Sequence, residues 1–160
     1  MTVFPRPQSR RQREKQARAA ERGQASVELV LILFIVLILV FGAFSLGQGV
    51  AVKHALDVAT EKAARLLSIA PDDFAAADLL IRREVDASVL GGGYGSQVGI
   101  SLAEADTGAP ITAGDLSNAA FGYRFLVLTE VPFRADVPFL ALAARTITTA
   151  HYGIVDRVMP

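Results

Sequence analysis

The chain has 160 residues, a net charge of zero and no cysteine. That length accommodates one membrane segment and one modest domain. The absence of thiols excludes disulfides, thiolate metal sites and cysteine catalysis.

Charge is unevenly placed along the chain. Residues 1–23 carry Arg6, Arg10, Arg11, Arg13, Lys15, Arg18 and Arg22 against Glu14 and Glu21, a net +5. The remainder carries nine basic and fourteen acidic side chains, a net −5. The leader is polar and broken early by Pro5 and Pro7, and its composition predicts disorder. A basic arm also suits nucleic acid, but no base-stacking aromatics accompany it, so no nucleic-acid partner is expected.

From Leu29 to Val52 there are 24 positions without a charge, most of them Leu, Ile, Val, Phe and Ala. A helix of about 20 apolar residues crosses a hydrocarbon core of about 30 Å, so this run is long enough to span with some tilt. A buried helix of a small domain is usually shorter and keeps a polar face. A secretory signal would have a shorter apolar region of about 7–15 residues. The expected partner of residues 24–52 is therefore the lipid bilayer. Basic residues beside a span stay cytoplasmic. The expected location is the cytoplasmic membrane, single-pass, with the N-terminus cytoplasmic and residues 53–160 extracytoplasmic. Glu28 stands at the mouth of the run, five residues after Gly23. A carboxylate within a bilayer is costly unless it reaches the headgroups or meets a cation. Spacing alone leaves both readings open.

The helix is predicted to continue outward. Val52, Leu56, Ala59, Ala63, Leu66 and Ala70 form one apolar stripe, with Glu61 and Arg65 an i,i+4 pair on another face. Pro71 ends it. Pro71-Asp72-Asp73 then reads as the first turn of a second helix reaching about Leu90, with Phe74, Ala77, Leu80, Ile81, Val85 and Val89 on one face. Gly91 to Gly95 close it. They follow a helix, whereas a phosphate-cradling loop follows a strand and opens a helix, so they read as a turn.

Beyond this point the period changes to two. Val98, Ile100 and Leu102 alternate with polar or small residues, Thr107 to Pro110 form a turn, and Phe121 to Val131 read as the central strand. Pro132 and Pro138 predict an irregular excursion over 133–144, and Arg145 to Tyr152 form the last strand. The expected fold class is α+β: a basic leader (1–23), a transmembrane helix (24–52), extracytoplasmic helices (53–90) and a β-rich region (91–160) of about three antiparallel strands. His54 and His151 read as surface or core residues, and the aromatics Tyr94, Phe121, Tyr123, Phe125, Phe133 and Phe139 as core. No calcium-loop, nucleophile-elbow, zinc-protease or nucleotide-binding motif is present, so no enzyme activity, metal or cofactor is expected.

The start Gly23-Gln24-Ala25-Ser26-Val27-Glu28-Leu29 resembles the class III signal of type IV pilins and pseudopilins. With the apolar run, the Ala63-Ala64-Arg65 segment and a β-rich tail containing Val131-Pro132-Phe133, the chain resembles the TadE-like family of Flp (tight adherence) pilus systems. The resemblance implies that a prepilin peptidase cuts after Gly23, making Gln24 the new N-terminus. It also implies that Glu28 sets the register against other pilin-like subunits. Gln24 stands where type IV pilins commonly have Phe, and Leu29 where Flp-type pilins often have Tyr, which points to a minor pseudopilin rather than a major pilin. The alternative is a membrane-tethered extracytoplasmic binding or adhesion module on an uncleaved anchor.

Overall fold

The computed structural model describes residues 10–88, 93–140 and 142–156. The chain divides into two compact units, residues 1–41 and 42–160, and helix α1 (Arg10–Ile69) contributes to both. In the first unit the helix starts at Arg10, well before the apolar run. The leader, expected to be disordered, is thus helical from Arg10 onward. Past Pro7 it contains no proline and consists largely of Arg, Gln, Lys, Ala and Glu, all strong helix formers. Pro5 and Pro7 themselves lie outside the described residues.

The second unit is α+β, as the pattern predicts. The end of α1 is followed by α2 (Phe74–Ser88), a 3-10 turn (Gly95–Gln97), β1 (Gly99–Glu104), β2 (Pro110–Ile111), α3 (Ala113–Ser117), β3 (Arg124–Phe133) and β4 (Arg145–Ile154). The strands form one antiparallel sheet in the order β2-β1-β3-β4. There are four strands rather than about three, because Pro110, expected to end a turn, and the Ile111 that follows it pair with Ala103 and Leu102.

The core lies between one face of the sheet and the helices. Phe125, Val127, Thr129 and Val131 alternate inward from β3. They meet Val52, Leu56, Ala59 and Ala63 of α1 and Ala77, Ile81 and Val85 of α2. The stripe on α1 is therefore the seam onto its own domain. It drifts toward its end: Leu67 is fully buried, whereas Leu66 and Ala70 are half-buried. Thr60, which apolar spacing overlooks, is also fully buried. Its hydroxyl donates to the Leu56 carbonyl at 2.6 Å, so the Thr129 hydroxyl donates to Thr60 Oγ1 at 2.7 Å. Both polar groups are satisfied, which removes the penalty of about 1–3 kcal/mol that an orphan would carry.

Several boundaries differ from expectation for local reasons. Pro71 and Asp72 form a turn, and Asp73 caps α2 by accepting from Ala76 N at 3.1 Å. Val89 to Gly92 lie outside the described residues. Helix α3 was not expected; it is nucleated by a capping box in which Thr112 and Asp115 each bond the other's backbone N–H. Pro132 does not end β3. Even-numbered residues of β4 turn their backbone groups away from β3, since Thr148 O accepts from Lys53 and Ile154 N donates to Ser68. Pro132, opposite Thr146, therefore aims its missing N–H toward the β1 side, where β1 has already ended at Gly99 opposite Glu130. Of the aromatics, Phe125 is fully buried, and Tyr94 and Phe133 stack at 6.5 Å. Phe121 and Phe139 are exposed (63% and 80%), contrary to their assignment to the core.

Candidate functional site

The residues singled out for processing and pairing all lie in the first unit. Gly23 is inside α1, not at its end, so the Gly23–Gln24 bond belongs to continuous helical backbone. Glycine in a helix interior costs about 1 kcal/mol relative to alanine, making this the weakest point of the leader's helix. Gln24 and Glu28 are one turn apart on the same face, and both are exposed. With Val27, Leu31 and Ile32 they form a shallow strip, polar at its start and apolar beyond. Among the described residues Glu28 has no hydrogen-bond or ion-pair partner.

Below Glu28 the helix is apolar on every side. From Leu29 to Phe41 every large apolar side chain except Ile38 is exposed. Among the described residues this is the one helix long and apolar enough to cross a membrane. Little of that window is covered by the chain itself, unlike the core helix of a soluble domain. A lone N-terminal helix of this kind suggests a single-pass anchor.

The second unit holds a polar cluster that sequence reading did not assemble. Lys53 donates to Asp57 Oδ1 at 2.7 Å and to the Thr148 carbonyl at 3.0 Å, and Thr149 Oγ1 donates to the same carboxylate oxygen. The Lys53–Asp57 spacing was legible; Thr149, 92 residues away, was not. Burial disfavours the Asp57 anion, but hydrogen bonds from Lys53 and Thr149, with the Lys53 and His151 charges, outweigh it and hold its pKa below the usual value. A depressed folded pKa means that stability is present in full above the unfolded value of about 3.9 and is lost as pH falls through the folded one. Asp57→Asn should therefore lower the denaturant midpoint at neutral pH and converge with the parent in acid. An offset that stays constant across that range would show that the carboxylate's charge is not what ties α1 to β4.

In the described part of the glycine turn, Gly95 is already engaged. Gly95 N donates to Asp86 Oδ1 at 2.7 Å and Gly95 O accepts from Arg82 at 2.9 Å, so an aspartate already occupies the donor. His54 is exposed and His151 half-buried. Among the described residues no three His, Asp or Glu side chains gather as metal ligands.

Residues 23–65 match the family model described as TadE-like protein. The comparisons with curated proteins and with solved structures give no match. The matched segment contains Gly23, Gln24, Glu28, the apolar run and most of the seam of α1. Match and apolar helix together are consistent with a membrane-anchored, pilus-associated protein.

Proposed function

We propose, from the TadE-like match over the segment that carries Gly23 and Glu28, that this chain is a single-pass minor pseudopilin. It supports assembly of a Flp-type pilus or a related secretion apparatus by packing helices, not by turning over a substrate. The basic leader keeps the N-terminus in the cytoplasm and places the folded unit outside. A prepilin peptidase cuts after Gly23 and frees the α-amine of Gln24, which is cationic below about pH 7.7–8.0. In a water-poor layer that amine and a neighbouring subunit's Glu28 attract strongly, and each is costly if left alone. The pair sets the axial register of otherwise featureless apolar helices.

The observation that carries this reading is Glu28 itself. It is exposed, has no partner among the described residues and stands where an apolar surface begins on all sides. A plain anchor has no use for it. Glu28→Leu should leave insertion intact or improved, because leucine is favourable in bilayers. It should reduce disulfide crosslinking to pilin-like partners through cysteines placed at Leu33 or Leu37, by about tenfold if the pair contributes about 1.4 kcal/mol. The native chain has no competing thiol. Undiminished crosslinking in a correctly cut mutant would defeat the pairing role, and loss of cutting would reassign Glu28 to peptidase recognition. An intact mass that retains residues 1–23 beside an active peptidase would favour the tethered-module alternative.

A further inference from the structure

The connection between β3 and β4 presents apolar side chains outward at a defined level of α1. Ser45 Oγ donates to the Asp136 carbonyl at 3.0 Å, and the Phe133 ring lies 3.2 Å from where a Cβ on Gly49 would sit. Val137 is buried and bridges to Leu140, closing a tight turn. Beyond this anchor Phe139 is 80% exposed, Leu140 47% and Leu142 42%. Phe139 also adopts a φ of 68°, a left-handed conformation that costs an L residue roughly 1–2 kcal/mol.

The level of the contact identifies the occupant. Ser45 and Gly49 both lie inside the uncharged run Leu29–Val52. About 20 helical residues cross the hydrocarbon core, and counted from Leu29 they end at Gln48. The loop thus meets α1 where the helix leaves the bilayer. Arg134 and Arg145 bracket the loop, both are exposed, and neither has an ion-pair partner among the described residues. With Asp136 they leave residues 134–145 at net +1. An apolar tip between arginines matches the headgroup–acyl boundary, where apolar side chains sit about 5–10 Å deep and guanidinium groups reach lipid phosphates.

We propose that the described residues of this connection, 134–140 and 142–145, form a second membrane contact, in which Phe139, Leu140 and Leu142 enter the leaflet at the C-terminal end of the span and Arg134 and Arg145 bind phospholipid headgroups. It rests on the reading of α1 as a membrane-spanning helix. The contact would fix the folded unit against the bilayer surface, holding subunits at one height before assembly.

The chain contains no tryptophan, so a single introduced one reports unambiguously. Full-length Phe139→Trp, Phe34→Trp and Tyr152→Trp would be placed separately in phosphatidylcholine–phosphatidylglycerol vesicles, with and without bromines on the upper acyl chain. Phe34→Trp reports on the span, and Tyr152→Trp on a sheet position 68% exposed in the folded unit. The expected result is blue-shifted Phe139→Trp emission that loses about half or more of its intensity to the bromines, as an interfacial side chain would. Tyr152→Trp should instead be quenched by aqueous acrylamide. Solvent-quenched Phe139→Trp beside lipid-quenched Phe34→Trp overturns the loop contact and leaves the span standing. Phe34→Trp that escapes the bromines removes the span and the loop contact together. Shielding of Phe139→Trp that vanishes on dilution of protein in lipid overturns the proposal in favour of a second copy as occupant.

Discussion

Gly23→Val should leave the chain uncut, with the product beginning at Gln24 falling to background when prepilin peptidase is present. The expectation follows from two properties of this position. The Gly23–Gln24 bond, the proposed cleavage point, lies within continuous helix, so its N–H and carbonyl are engaged in the helical ladder and must open before an enzyme can surround them. Glycine makes that opening cheapest, and with no side chain it lets a protease approach the backbone closely. Valine adds a branched side chain at the point of approach and favours the closed helix. Gly23→Ala separates the two effects. It strengthens the helix by roughly 0.8–1 kcal/mol, slowing cutting several-fold without abolishing it. Intact mass of the membrane-extracted chain reads both variants and the parent. Cutting of Gly23→Val at an unchanged rate would detach the glycine from processing and weaken the pseudopilin reading.

The largest effect on stability is expected at the contact between Phe125 and Gly153. Phe125 is fully buried near the start of β3, and the two residues are register partners across β3 and β4. A Cβ on Gly153 would lie 2.7 Å from two carbons of the Phe125 ring and closer still to its tip. Phe125→Ala empties the largest fully buried side chain and should cost about 3–5 kcal/mol, a large part of the roughly 5–15 kcal/mol available to a domain. Gly153→Ala forces overlap against a ring with no room to retreat, at about 1–3 kcal/mol. Together they should cost less than their sum by about 1 kcal/mol or more, because the added methyl then enters the space the ring has left. Denaturant unfolding of the detergent-solubilised chain measures this cycle. Strict additivity would mean that the ring and Gly153 do not restrict each other.

Local chemistry accounts for much of this protein before any contact is known. Twenty-four uncharged positions, a basic leader and the Gly23–Glu28 spacing define the apolar helix and its resemblance. They do so because length, hydropathy and signal spacing are properties of contiguous residues. The stripe from Val52 to Ala63 and the alternation in β1 and β4 are legible for the same reason: each follows a backbone period.

What escaped depends on residues distant in sequence. Thr60 looks like a break in an apolar stripe until Thr129 supplies its hydroxyl partner across 69 residues. Pro132 looks like a strand breaker until the register shows that β1 has ended beside it. Leu67 replaces Leu66 in the core because a 3.6-residue helix drifts against any exact alternation of threes and fours, and the position of the sheet decides which side chain is covered. Phe125 and Phe139 belong to the same residue type and both sit in β-rich sequence, yet one is fully buried and the other 80% exposed. Hydrophobicity determined that each would leave water if it could. Only the tertiary structure decided that Gly153 opens a space for one, while the turn at Val137–Leu140 directs the other outward.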